Sequence, residues 1–175
     1  MPISTDIPEI IRYFRENESH LSPFAPEKPA NFYTEDFWKE QIRKHGDAFH
    51  ADQALRLYLF DSEMNKEVMG SLEFSQISRG PFQACYLGYG IAKKHQGKGI
   101  MYEGLVVAIQ YAFEELNIHR IMANHLPENE RSARLLSRLG FRRECVAKEY
   151  LRINGAWRDH VLNSLHNSNW REVTA

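Results

Sequence analysis

Apolar and polar residues alternate along three stretches in the first half of the chain, a pattern typical of β-strands with one buried face. The stretches are residues 54–60, 68–77 and 82–92, and two polar turns, DSEMNKE and SRGP, separate them. Gly88 and Gly90 in the third stretch indicate a bulge or a close approach of the backbone to another group. We therefore predict three strands joined by hairpins.

A period of 3.6 residues predicts four helices. The clearest runs to about residue 117, and its apolar face comprises Met101, Leu105, Ala108, Ile109, Ala112, Phe113 and Leu116. Capping residues and helix breakers predict the other three helices. The first runs from a cap at Thr5 or Asp6 to about residue 17, and the others span residues 35–45 and 130–139. Between the first two, the prolines of HLSPFAPEKPANFY predict that no regular element forms.

Three further apolar segments, at about 119–124, 141–150 and 157–165, predict closing strands, the last two joined by a turn at 153–155. Hairpins followed by a strand–helix–strand–helix–strand passage predict an α/β (α+β) fold. Its central sheet is expected to be mixed, mostly antiparallel and twisted, with about six to seven strands and helices on both faces. A length of 175 residues predicts a single domain over 1–175.

Composition narrows the class of protein. The chain is 43% hydrophobic, but no apolar run reaches about 18 residues, so no membrane span is expected. The N-terminus, MPISTDIPEI, has no basic flank followed by an apolar stretch, so no secretory signal is expected either. Cys85 and Cys145 lack the spacing of a disulfide framework or a metal site, which favours a reduced, cytoplasmic protein without a bound metal. Residues 1–92 contain 9 Lys and Arg against 14 Asp and Glu, whereas residues 93–143 contain 9 against 5.

The positive block coincides with a glycine-rich turn, QGKGIM at 96–101, between a predicted strand and a predicted helix. Such a turn places free backbone N–H groups at the positive end of a helix dipole and predicts a phosphate or pyrophosphate site. A P-loop is excluded because Gly99 stands where Ser or Thr would bind Mg²⁺. The glycine spacing also does not match a dinucleotide-binding fold.

Two segments together resemble the cofactor-side motifs of the GCN5-related N-acetyltransferase (GNAT) superfamily. Residues 96–101 fit Q/R-x-x-G-x-G/A apart from Met101, and residues 129–141 fit N-x-x-S-x-x-L-x-x-x-x-G-F. The segments YLGY, HRIMAN and WRDHVL further resemble RimJ/RimL-type enzymes, which acetylate the N-terminal α-amine of ribosomal proteins. The resemblance covers about residues 6–170 and is closest to the RimJ (alanine) branch, for which Met101 is normal.

This resemblance implies a GNAT fold and a set of site residues. Because only Pro2-Ile3-Ser4 precede the first helix, we expect that the first edge strand of that fold is short or missing, or that the true start lies upstream. The resemblance implies acetyl-CoA as the donor, bound by Gly90, Ile91, Gln96, Gly97, Lys98, Gly99, Ile100, Met101, Asn129 and Ser132.

The resemblance also implies catalytic roles. Ser132 would protonate the departing thiolate, and Glu103 is the leading candidate for the general base, with Glu73 and Glu149 as alternatives. An N-terminal amine has a pKa of about 7.7–8.0, so a carboxylate that acts through water would suffice. Packing or structural roles are expected for Tyr86, Tyr89, His95, His119, His125 and His160.

Three functions stay open at this point. The first is direct transfer of acetyl to the N-terminal alanine of a small-subunit ribosomal protein, and the second is acetylation of a small amine such as a polyamine or an antibiotic. The third is a non-catalytic, CoA-binding module that contacts ribosomal RNA through a basic helix face. Arg131, Arg134 and Arg138 on that face would contact either ribosomal RNA or the 3′-phosphate of the cofactor. Either a monomer or a homodimer is expected.

Overall fold

The computed structural model describes residues 1–61 and 67–172. Within them, six strands form one sheet in the order β1-β2-β3-β4-β6-β5. The strands are β1 (Leu55–Phe60), β2 (Val68–Ser78), β3 (Ala84–Ile91), β4 (Arg120–His125), β5 (Arg142–Ile153) and β6 (Ala156–His166). Neighbouring strands run antiparallel except for β3 and β4, which run parallel. The predicted mixed, mostly antiparallel sheet is therefore confirmed.

The described residues contain five α-helices. They are α1 (Ile7–Glu16), α2 (Glu18–Leu21), α3 (Glu35–His50), α4 (Ile100–Glu114) and α5 (Glu130–Arg138). Parallel neighbours need a crossover connection, and α4 supplies it between β3 and β4. None of these helices is both long enough and apolar enough to span a membrane.

The sheet has a core on each face, as predicted. Alternate residues of β1 show this directly, because Leu55, Leu57 and Leu59 pack into the cluster that contains α4 and α5 side chains. Tyr58 and Phe60 pack into the other cluster, with side chains of α1 and α3. We call the side covered by α4 and α5 the first face and the side covered by α1 and α3 the second face.

The sheet opens between its two parallel strands. β3 stays paired with β2 in continuous register as far as Ile91, but it pairs with β4 only over Ala84–Tyr86. Of the two alternatives predicted for Gly88 and Gly90, the bulge is wrong, since the register shift in this pair lies between Ser75 and Ser78, whereas Gly90 does lie close to side chains of α1 and α2. Beyond Tyr86, the edge of β3 that faces away from β2 has no strand partner among the described residues, because β4 diverges from it.

Three other expectations change. The segment predicted to be irregular contains the end of α2 and a 3₁₀ turn at Ser22–Phe24, where Pro23 is tolerated because a first-turn residue needs no N–H partner. The helix predicted to end at about residue 45 continues to His50. Residues 62–66 of the predicted polar turn lie outside the described residues.

Among the described residues, no strand precedes α1. A 3₁₀ turn at Ser4–Asp6 precedes α1, and β1 forms one edge of the sheet among the described residues.

Candidate active site

The turn that leads from β3 into α4 is shaped by two glycines. Gly97 and Gly99 have φ angles of 72° and 82°, a left-handed conformation that residues with side chains rarely adopt. Gly99 caps α4 directly, so the first N–H groups of the helix have no partner within the helix. The turn therefore presents backbone donors and the positive end of a helix dipole to a bound anion such as a pyrophosphate.

The beginning of α5 lies on the other side of the opening. Asn129 caps this helix, because its Oδ1 accepts a hydrogen bond of 3.2 Å from the backbone N–H of Ser132. The Ser132 hydroxyl lies 2.7 Å from the hydroxyl of Tyr89, which β3 contributes. Burial raises the pKa of Tyr89 to about 12, although the hydrogen bond to Ser132 opposes that shift. Tyr89 packs in the first-face core as predicted, and its hydroxyl also orients Ser132.

These elements enclose a cleft of about 840 Å³. Nine of the ten residues predicted to bind the cofactor line it, namely Gly90, Ile91, Gln96, Gly97, Gly99, Ile100, Met101, Asn129 and Ser132. The tenth, Lys98, is exposed and is not part of the lining. A groove of similar volume between α4 and Arg171 contains none of these ten residues.

The three candidate carboxylates all lie outside the cleft lining. Glu103 is exposed on the first turn of α4, where its negative charge interacts favourably with the positive end of the helix dipole. Glu73 forms an ion pair of 2.6 Å with Arg56 on the second face. Glu149 is exposed on β5. A role for any of them as general base stays a prediction.

The arginines of α5 are engaged at the cleft. Arg131 donates a hydrogen bond of 2.5 Å to Oε1 of Gln96, which connects α5 to the glycine turn. The guanidinium of Arg138 lies 3.7 Å from the centre of the Tyr102 ring. Arg134 forms an ion pair of 3.0 Å with Glu130. All three arginines line the cleft, so their positive charge is available to anionic groups of a ligand.

A second polar group, on the second face, is not indicated by any sequence motif. The hydroxyls of Tyr86 and Tyr150 lie 3.1 Å apart, and Asn124 donates a hydrogen bond of 3.3 Å to the Tyr150 hydroxyl. The ring of Tyr150 lies 5.7 Å from that of His160, measured between centroids. Tyr150 lies where the register of β5 shifts between Ala147 and Leu151, and it meets Tyr86, 64 residues earlier in the chain. Asn124 and His160 both line the cleft.

No metal site accompanies these groups. Across residues 1–61 and 67–172, His, Cys, Asp and Glu side chains form no group of three that could hold a metal ion.

The arrangement matches a known family. Residues 1–142 match the family model described as the acetyltransferase (GNAT) domain, so this chain belongs to the GNAT acetyltransferases. The predicted family and fold are thereby confirmed.

Particular relatives narrow the comparison. The chain is 44% identical over 158 residues to the ribosomal protein uS5-alanine N-acetyltransferase of Escherichia coli (strain K12), covering 90% of this chain and 81% of the relative. The crystal structure of the ribosomal-protein-S5-alanine acetyltransferase from Vibrio fischeri superposes with a TM-score of 0.94 at 38% identity, covering 98% of this chain and 93% of that one. Mycobacterium smegmatis RimJ in complex with a CoA-disulfide gives a TM-score of 0.88 at 25% identity, covering 98% and 82%.

Proposed function

We propose that this GNAT domain transfers acetyl from acetyl-CoA to the N-terminal α-amine of a ribosomal protein, with alanine as the acceptor residue. The observation that carries the proposal is the cleft where β3 parts from β4, which has an anion-binding turn at one side and the Ser132–Tyr89 pair at the other. The acceptor assignment is supported by the 44% identity to a uS5-alanine N-acetyltransferase.

The cleft residues suit the parts of acetyl-CoA. The N–H groups of residues 97–101 would bind the pyrophosphate. The free backbone edge of β3 would hydrogen-bond the amides of the pantetheine arm, and one of its N–H groups would polarise the thioester carbonyl. Asn129 would contact the cofactor, and Lys98 would add positive charge from outside the cleft.

Transfer would be direct, without an acyl-enzyme. The neutral amine attacks the carbonyl carbon, the N–C bond forms and the C–S bond breaks. The Ser132 hydroxyl supplies a proton to the departing thiolate and is held for that role by Tyr89. A thiol has a pKa of about 8.5, so the thiolate is a good leaving group and this assistance is worth less than for an alkoxide.

The positions of the α5 arginines suit binding of the phosphates of acetyl-CoA better than binding of ribosomal RNA. Arg131 and Arg138 are already held at the cleft, by Gln96 and by Tyr102 respectively. We therefore assign them to the cofactor. Whether the chain is a monomer or a homodimer, and its location in the cytoplasm, stay predictions.

An acceptor panel tests the proposed function. The purified protein is incubated with acetyl-CoA and a peptide that carries the N-terminal sequence of uS5, and released thiol is measured. The matched control is the same peptide with a blocked α-amine, and spermidine tests the small-amine alternative. We expect turnover with the free peptide only. Turnover with spermidine but not with the peptide would reject the acceptor assignment, and binding of acetyl-CoA without any turnover would favour the non-catalytic module.

A further inference from the structure

The cleft continues onto the second face of the sheet, where Gly88, Gly90 and His160 line it, and we call this part of the cleft the trough. Because Leu87, Tyr89 and Ile91 pack into the first-face core, the intervening Gly88 and Gly90 face the other way. A Cβ atom on Gly90 would lie 3.3 Å from atoms of the side chains of α1 and α2, which confirms this direction. A Cβ atom on Gly88 would meet nothing within 4 Å, so the floor of the trough is open there.

His160 stands on the same face. Leu165 of β6 packs into the first-face core, so His160, an odd number of residues away, faces the second face. The residue lines the cleft and is only 4% exposed. Its ring contacts the Tyr150 ring, whose hydroxyl is bound to Tyr86 and Asn124. The side chain is thus packed at the trough.

The hydrogen bonding of His160 determines its tautomer. Its Nδ1 lies 3.0 Å from the backbone carbonyl oxygen of Arg158, and a carbonyl can only accept. Nδ1 therefore carries the hydrogen in the neutral ring, and Nε2 carries the lone pair. Among the described residues, Nε2 has no hydrogen-bond partner. It is not one of the fully buried polar atoms that lack a partner, so part of it is accessible. It is a proton acceptor that remains reachable from the cleft.

We propose that His160 Nε2 accepts the proton of the acceptor α-ammonium before acetyl transfer. This inference rests on the proposed function and adds a catalytic residue to it. An N-terminal amine is largely protonated at pH 7 and cannot attack until it loses one proton. Nε2 takes that proton and later releases it to solvent. The second proton that nitrogen loses, as the N–C bond forms and the C–S bond breaks, reaches the thiolate through Ser132, so the products are amide and thiol.

The charged residues next to His160 do not prevent it from accepting the proton. The carboxylate of Asp159 pairs with Lys148 at 2.6 Å, and the guanidinium of Arg158 pairs with Glu128, so the adjacent residues in the chain are neutralised by partners of their own. From β5 the titratable group that faces the ring is the Tyr150 hydroxyl, and burial, the largest cause, raises its pKa to about 12.

His160→Asn is the informative variant. The asparagine amide nitrogen takes the position of Nδ1 and can still donate to the Arg158 carbonyl, whereas Nε2 is removed. His125→Asn is the matched control, because the Nδ1 of His125 lies 2.9 Å from the Leu126 carbonyl in the same way but its strand position faces the first face. His160→Gln serves as a second variant should His160→Asn fold poorly.

The readout is kcat/KM from pH 6 to 9, with whichever amine the unaltered protein acetylates. At pH 7 roughly a tenth of an α-amine is already neutral, so we expect His160→Asn to lose about tenfold. The loss should shrink below about twofold at pH 9, where the amine no longer needs a base. Any loss in the His125 variant should stay constant with pH.

Two results would overturn the inference: wild-type activity in His160→Asn and His160→Gln, or a loss in them that does not change with pH. Failure of the proposed function is distinguishable, because it appears as no turnover by the unaltered protein. Glu103→Gln is measured in parallel. If the Glu103 carboxylate were the base, this variant would show the same loss of kcat/KM, which becomes smaller as pH rises.

Discussion

Ser132→Ala is expected to affect stability and catalysis separately. The substitution removes the hydroxyl that lies 2.7 Å from the Tyr89 hydroxyl and leaves that desolvated phenol without a partner. An unpaired polar group away from water costs about 1–3 kcal/mol. Because Tyr89 is only partly buried, we expect the lower end of this range, about 1 kcal/mol of unfolding free energy.

A double-mutant cycle isolates this pair. Tyr89→Phe leaves the Ser132 hydroxyl at the cleft, where water can reach it, so it should destabilise by less than Ser132→Ala. The double variant removes both partners and should be no less stable than Ser132→Ala alone. Urea denaturation of the four proteins measures the coupling, which we expect to be about 0.5–1 kcal/mol. Additive losses would refute the hydrogen bond as the link between β3 and α5.

The kinetic side of this prediction has its own test. General acid catalysis typically contributes about 10²–10⁴-fold, and a thiolate needs the least help, so Ser132→Ala should lower kcat by about 10²-fold or less at pH 7. The loss should shrink above a pH of about 8.5, where a thiolate leaves unprotonated. An unchanged kcat would refute the role of Ser132 as acid.

Three further outcomes follow from particular contacts. Gly99→Ala forces a side chain into a left-handed φ of 82° without a steric clash, so it should cost about 1–2 kcal/mol of stability and weaken acetyl-CoA binding in calorimetry. Gly88→Ala places a methyl group in open space in the cleft lining, so thermal unfolding should not change while the KM for the substrates rises. Hydrogen bonds, first from Ser164 and then from Arg120, lower the pKa of Glu144. The ionised carboxylate therefore stabilises the fold above its unfolded-state pKa of about 4.3, and this stabilisation is lost as pH falls through the lower pKa of the folded state. Glu144→Gln should therefore make the unfolding midpoint less dependent on pH below about 5.

The parts of the site that follow local patterns could be predicted from the sequence. The glycine turn, the helix that it opens and the Asn129 cap each depend on residues close together in the chain, where residue type limits backbone conformation directly. The same holds for the hairpin turn before β6, where Asn154 and Gly155 both have positive φ, as a tight turn requires.

What could not be predicted depends on the divergence of two strands. Nothing in the sequence of β3 or β4 states that their pairing stops after Tyr86, because each strand keeps its alternation beyond that point. The glycines of β3 therefore indicate either a bulge or a close approach of the backbone, and the pattern alone does not show that they leave space on the second face. The grouping of Tyr86, Tyr150 and His160 has the same origin, since it is set by tertiary packing across residues far apart in the chain.

The central claim is that acetyl passes from acetyl-CoA in the β3–β4 cleft to an N-terminal α-amine. Its most direct test uses acetyl-CoA labelled with ¹³C in the acetyl group and an alanine-starting uS5 peptide that also contains lysine. Fragmentation mass spectrometry then locates the label. The account predicts label on the alanine α-nitrogen alone, and label on the lysine side chain, or on neither nitrogen, would contradict it.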